Sequence, residues 1–330
     1  MEDAAGHYAR AMALYSRGEI REAILAFREA ARGAYATGKP KIHGDAVQSV
    51  VTLIARNVEQ GNAAYFPREP REAPAGTAPV SVIVCSVQRE RLSSMQENFR
   101  AALGSREHEF IAIDDARSLC EGYTRGLERS RHGIVVFAHD DVALLSHAPF
   151  DAIEAALAAN DVVGLAGSDL VRGPAVMWAG HPHLRGFVAM PVAGDRHAVS
   201  ATLFSLQCGT MGGMQALDGF FFAARREAAI AVGFDREVFD GFHFYDLDFT
   251  YRAFLAGRKV AVTTDVVALH MSLGEFEQDW KRYAGRFVEK FPDLDGVRGS
   301  NEHYAVRLSS RENALRFYED VRGLSAIPAS

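Results

Sequence analysis

The chain has 330 residues, 48% hydrophobic and 24% charged, with a formal net charge of −6. That length accommodates a large domain with a smaller one beside it, and the acidic balance argues against a nucleic-acid partner. No run approaches the roughly 20 apolar residues of a membrane span, and the opening MEDAAGHYAR lacks the apolar core of a signal peptide. The three cysteines, Cys85, Cys120 and Cys208, form no CxxC pair and read as reduced thiols. A cytoplasmic protein is expected, with peripheral attachment at the inner face of a membrane left open.

Residues 1–66 read as helical. Met12, Tyr15, Ala23, Ile24, Phe27 and Ala30–Ala31 recur at intervals of three and four, an apolar stripe broken at Gly18. YARAMALYSRGEIREAILAFREAA resembles one tetratricopeptide repeat, with Ala11, Leu14, Tyr15, Gly18, Ala23, Phe27 and Ala30 in place. One repeat cannot bury its own face. The segment is therefore either a helical cap on the main domain or a surface for a protein partner or self-association. FPREPREAPAGTAP follows, with four prolines and little apolar content, and residues 67–78 read as an extended linker.

From residue 79 the pattern changes. VSVIVCSV, HEFIAID, GIVVFAHD and DVVGLAG read as strands, separated by the helix-like RLSSMQENFRAALG, ARSLCEGYTRGLERSR and HAPFDAIEAALAAN. Strands apolar throughout and alternating with helices indicate a largely parallel sheet covered on both faces. Such sheets gather ligands at the C-terminal ends of their strands. Asp114–Asp115 end the second strand there and His139–Asp141 end the third. A domain over 79–292 and a helical tail over 293–330, containing RENALRFYEDVRG, complete the division.

Two near-motifs carry nothing. GAYATGKP has Pro40 where a phosphate loop needs Ser or Thr, and it follows a helix. His181 and His183 of GHPH read as a solvated loop beside Pro182.

The chemistry-bearing residues lie in IVVFAHDDVALL, in DGFHFYDLDFTYRAFLAGRKV with Asp246 and Asp248 before an amphipathic helix, and in VVALHMS ending on His270. Carboxylates beside a buried strand are costly without a proton, a partner or a metal. PVSVIVCSVQRERL, IAIDDA, IVVFAHDDV and LDGFFFAARREAAIAVGFDREVFDGFHFYDLDFTYRAFLAGRKVAVTTDVVALHMS, in that order, resemble the family 2 glycosyltransferases of GT-A fold over roughly 200 residues from Pro79 to about Trp280. The resemblance implies an α/β GT-A fold, a Rossmann-like mixed sheet flanked by helices, here with an α-helical N-terminal extension. It also implies metal-dependent, inverting transfer of a sugar from a nucleotide diphosphate to a hydroxyl, in polysaccharide or glycoconjugate synthesis.

By that resemblance Asp141 and His270 ligate Mn2+ or Mg2+, since hard oxygens with an imidazole suit a cation that stabilises a diphosphate leaving group. Ser86, Asp114, Asp115, His139 and Asp140 contact a UDP-, GDP- or dTDP-linked donor. Asp246 is the base that takes the acceptor proton. Asp218, Gly219 and Asp248 face a saccharide, lipid-linked or protein acceptor, although Asp248 equally suits a helix cap or a structural ion pair, and Asp115 a cap for the helix after it. The sequence departs from the family at His139, first position of a DxD, at Thr124, where Asn is frequent, and at Tyr245, where Glu is common. A nucleotidyltransferase and a non-catalytic binding protein of degenerate fold are the alternatives.

Overall fold

The computed structural model describes residues 3–67, 76–272, 278–299 and 303–328. Most of the expected linker 67–78 lies outside these residues. Among the described residues, 3–67, 191–208 and 303–328 group into one compact unit, and 76–190, 209–272 and 278–299 into another.

The chain begins with α1 (Ala4–Ser16), α2 (Ile20–Ala36) and α3 (Pro40–Glu59). Gly18, at φ +79°, makes the turn between the first two without steric penalty. Ala11, Leu14, Ala23, Ile24, Phe27, Ala30 and Ala31 are buried, whereas Met12 and Tyr15 are exposed. The apolar stripe of α1 is thus narrower than its sequence suggests, because a helix on the surface of a small unit buries a single seam, here Ala4, Ala11 and Leu14.

The second unit opens with β1 (Val80–Cys85), α4 (Arg89–Leu103), β2 (His108–Ile113), α5 (Leu119–Arg129), β3 (Ile134–Ala138), β4 (Val142–Leu144), α6 (Pro149–Leu157), β5 (Val162–Gly164), β6 (Ala166–Ser168) and β7 (Leu184–Val192). The next strand, β8 (Asp195–Leu203), belongs to the first unit. The second unit continues with β9 (Thr210–Gly212), β10 (Ala216–Leu217), β11 (Phe221–Arg225), α7 (Arg226–Val232), α8 (Tyr245–Leu255), β12 (Val260–Thr263), β13 (Ala268–His270) and α9 (Gln278–Lys290). The chain ends in the first unit with β14 (Tyr304–Leu308) and α10 (Arg311–Ala326).

The main sheet has the order β2-β1-β3-β11-β5-β12-β9. Strands β1, β2 and β3 are parallel, while β11 runs antiparallel to both β3 and β5. The sheet is mixed and flanked by helices, the fold class that the sequence resemblance implies. All five residues of β3 are buried. Its Phe137 stacks on Phe222 at 4.9 Å between ring centres, and Phe234 on Phe249 at 4.6 Å, so aromatic packing fixes β11 and α8 against the central strand. A second sheet has the order β10-β6-β7-β13-β4.

In the first unit β14 pairs antiparallel with β8, from Tyr304 against Leu203 to Leu308 against Val199. Asp320 of α10 is fully buried and accepts from the amides of Tyr65 and Phe66 at 3.0 and 2.6 Å. Arg28 of α2 donates to the carbonyls of Leu324 and Ile327 at the C-terminal end of α10, both at 2.9 Å. The tail therefore folds back on the helices of its own unit, and residues 191–208 leave the expected continuous stretch 79–292 to join them. Pairing across about 100 residues leaves no local signal in a linear reading.

Candidate active site

Strand register assembles the site. Ala138 at the end of β3 pairs with Phe221, and the His139 amide donates to the Phe220 carbonyl at 3.0 Å. The chain then turns into β4, whose Val142 lies opposite His270 of β13, and the Met271 amide donates to the Asp141 carbonyl at 3.1 Å. Two strand ends 130 positions apart thus deliver three side chains to one point. His139 Nδ1 lies 3.3 Å from His270 Nε2, which lies 3.5 Å from Asp141 Oδ1. The three ligand atoms fall within 4.8 Å of one another. Phe220 stacks on the His270 ring, centres 5.1 Å apart and planes at 18°, and limits its rotation.

These residues fit a divalent cation. Adjacent ligands of a six-coordinate ion with bonds of about 2.1–2.5 Å stand about 3.0–3.5 Å apart, close to the 3.3 and 3.5 Å edges seen here. Asp141 and His270 have side-chain exposures of 8% and 14%, so an ion on them is reachable yet mostly shielded from water. Burial, then the neighbouring His270 ring, holds the His139 imidazole below its ordinary range and keeps a lone pair available. His139, expected as a donor contact, presents its Nδ1 to the same cluster as Asp141 and His270. The Ser272 hydroxyl lies 3.0 Å from His270 Nε2 on the solvent side.

Asp140 turns away from its neighbours and accepts from the Ser86 hydroxyl at 2.5 Å. The Ser86 amide donates to the Ile113 carbonyl at 3.0 Å, joining the ends of β1 and β2. Asp114 and Asp115 follow immediately and are both exposed. Asp115 pairs with Arg125 at 2.8 Å, and the helix after it is capped by Ser118, whose hydroxyl accepts from the Glu121 amide at 3.0 Å. The capping role considered for Asp115 thus belongs to Ser118.

On the other side of His139 stands the first turn of α8. Phe244, at φ +67°, occupies the left-handed region that a bulky residue rarely adopts. Packing compensates that strain: the Phe244 ring stacks on Phe239 and meets Trp280 and Phe287. The turn aims Tyr245 and Asp246 back at the strand ends. Asp246 Oδ2 accepts from the Gly219 amide at 2.7 Å. A Cβ on Gly219 would lie 2.2 Å from the Tyr245 hydroxyl and 2.6 Å from Asp246 Cβ, so only glycine lets this backbone approach. Burial, reinforced by the Asp218 carboxylate, pushes the Asp246 carboxyl up to about 7. Asp218 is exposed beside it, its side chain accepting from the Phe220 amide at 3.2 Å.

Asp248 does not join this group. It is fully buried, its oxygens accepting from Arg252 at 2.8 Å and Lys290 at 2.6 Å. In place of the acceptor contact expected of it, Asp248 makes an ion pair that ties α8 to α9, because two residues along a helix are little more than half a turn and set residue 248 on the face opposite Asp246. Burial pushes the Cys85 thiol up to about 12, which favours the protonated form at neutral pH.

Two contacts escape a sequence reading, although Tyr245 itself stands out as a departure from the family. Tyr245 reaches His139 Nε2 with its hydroxyl at 2.6 Å, and Phe220 supports His270. Both sit in aromatic-rich runs that look like core, and only the register marks them out.

No match to the chain was found among curated proteins. Three distant structural likenesses are GalNAc-T7 with UDP, GalNAc and Mn2+ (10% identity, TM-score 0.39), mannosyltransferase PcManGT from Pyrobaculum calidifontis in complex with GDP-Man and Mn2+ (13%, 0.41), and A197 from STIV (14%, 0.35). The matches cover 65%, 82% and 59% of this chain. This chain spans about half of the GalNAc-T7 chain (48%), 75% of PcManGT and 86% of A197. The model of the glycosyltransferase-like family matches residues 81–291, the stretch that holds Ser86, Asp114, Asp115, His139–Asp141, Asp218, Gly219, Tyr245, Asp246 and His270, and the chain belongs to that family.

Proposed function

We propose that this protein transfers a sugar, with inversion, from a nucleotide-diphosphate donor to a hydroxyl acceptor, using a divalent cation. One observation supports this most: His139, Asp141 and His270 converge at the C-terminal ends of the parallel strands, with the strand-end carboxylates Asp114, Asp115 and Asp140 on one side and Asp246 on the other.

Each residue has a part. The two imidazoles and Asp141 hold the cation, either Mn2+ or Mg2+, and a cation held there supplies positive charge to the departing diphosphate. Ser86 and Asp140, linked at 2.5 Å, contact the donor's ribose, and Asp114 or Asp115 its base. Asp246 takes the proton of the acceptor hydroxyl as that oxygen attacks the anomeric carbon and the carbon–phosphate-oxygen bond breaks. Its position near pH 7 suits a base that must hold and release a proton at neutral pH. The exposed Asp218 borders the acceptor, and Gly219 beside it holds Asp246 through its amide.

Among the described residues no helix is long and apolar enough to cross a membrane. Polysaccharide or glycoconjugate synthesis in the cytoplasm is the setting this reading suits, with residues 1–66 available to a protein partner.

Calorimetric titration of UDP, GDP, dTDP and CDP with and without Mn2+ tests the reading. One diphosphate binding at micromolar affinity, dependent on Mn2+ and lost in Asp141→Ala, supports it. Absence of binding by all four to folded protein overturns it.

A further inference from the structure

Tyr245 is 4% exposed, and its ring packs edge-on against Tyr123 at 5.4 Å. Its hydroxyl nevertheless ends 2.6 Å from His139 Nε2, a polar contact inside an aromatic cluster. The other ring nitrogen, Nδ1, faces His270 Nε2 at 3.3 Å, with Asp141 next to that pair at 3.5 Å.

Two imidazole nitrogens that face one another form a hydrogen bond only when one carries a proton. Both offer lone pairs to a cation only when neither does. A neutral imidazole has one ring proton, so freeing Nδ1 of His139 places that proton on Nε2, the nitrogen at Tyr245. A buried N–H without an acceptor is costly. A phenol is protonated at neutral pH, and its oxygen can still accept. A hydroxyl therefore satisfies Nε2 in either tautomer, donating to its lone pair or accepting its proton, as neither a cation nor a carboxylate can.

We propose that Tyr245 is a positioning residue of the cation site: its hydroxyl accepts the Nε2 proton of His139 and thereby presents the Nδ1 lone pair towards His270 and Asp141. This inference rests on the reading of those three residues as cation ligands. It also connects the two halves of the site. Tyr245 and Asp246 are consecutive residues of the turn set by Phe244, and Gly219 is closed against both. A shift of that turn moves a metal ligand's partner and the base together.

The test uses the full chain and its Tyr245→Phe variant, which keeps the ring and removes the hydroxyl. Mn2+ is titrated and its free electron-paramagnetic signal followed. The expected result is an affinity for Mn2+ about 10- to 100-fold weaker in the variant, with an unchanged melting temperature of the ion-free proteins. In parallel, ring-15N histidine spectra of the wild type with Zn2+, a diamagnetic probe, are assigned with His139→Ala. They are expected to show His139 protonated at Nε2. Equal Mn2+ affinity in folded Tyr245→Phe, or protonation at Nδ1 in the Zn2+-loaded wild type, overturns the proposal. The spectrum decides alone if the variant does not fold. Failure of the wild type to bind either ion overturns the ligand assignment itself, a different outcome from equal binding by both proteins.

Discussion

His270 of β13 lies directly across an antiparallel ladder from Val142 of β4, one residue after Asp141. That pairing gives the late histidine a fixed place beside the strand-end acid. A one-residue slip would turn His270 to the other face of the sheet. His270→Ala and Asp141→Ala are each expected to weaken Mn2+ binding at least 10-fold. Mn2+ titration checks this, with circular dichroism verifying that each variant is folded.

Asp246→Asn separates base from scaffold. Loss of the proton acceptor is expected to cost roughly 100- to 10,000-fold in turnover, with nucleotide-diphosphate affinity retained. In the wild type the rate is expected to rise with pH and level off above about 7, where Asp246 has lost its proton. Initial rates between pH 5 and 9 check both.

The same carboxyl gives a stability signature. Its folded-state position, about 7, lies above the 3.8 of an unperturbed Asp, so between those values the folded state binds more protons than the unfolded chain. Stability from this group is complete below pH about 4 and is lost as pH rises through about 7. Asp246 keeps partial solvent access, which reduces the effect. Asp246→Asn is expected to be about 1–2 kcal/mol more stable than wild type at pH 8.5 and equal to it near pH 4. Urea denaturation at both values measures the difference.

Gly219→Ala puts a methyl 2.2 Å from the Tyr245 hydroxyl. Overpacking at a rigid turn is expected to cost about 1–3 kcal/mol of stability and to lower turnover more than a neutral surface change does. Thermal unfolding together with kinetics reads both effects.

Asp248→Asn tests the structural assignment of the second acid. Arg252 and Lys290 would lose the charge that both bind, and a loss of about 3–5 kcal/mol is expected, as for other broken buried pairs. Mn2+ affinity of the folded fraction is expected to stay at the wild-type value. A drop in Mn2+ affinity without loss of stability would return Asp248 to the site.

The sequence by itself determined the alternation of apolar strands and helices, and hence a largely parallel sheet with its acids at the C-terminal strand ends; that β11 enters it antiparallel is a property of the folded sheet. Those features follow from local patterning: Val82–Cys85 and Ile134–Ala138 are continuous apolar runs, and a run of that kind has few other ways to bury both faces. His139–Asp141, Asp246 and His270 were visible for the same reason, as polar residues interrupting apolar runs. What only the tertiary structure decided is which of these residues meet. The β4–β13 register brings His270 to Asp141, the left-handed turn at Phe244 brings Tyr245 to His139, and two part-exposed cations, Arg252 and Lys290, hold the buried Asp248. The pairing of β14 with β8 likewise binds the tail to the unit of the N-terminal helices. Contacts between residues a hundred positions apart depend on register and packing, and neither has a local signature along the chain.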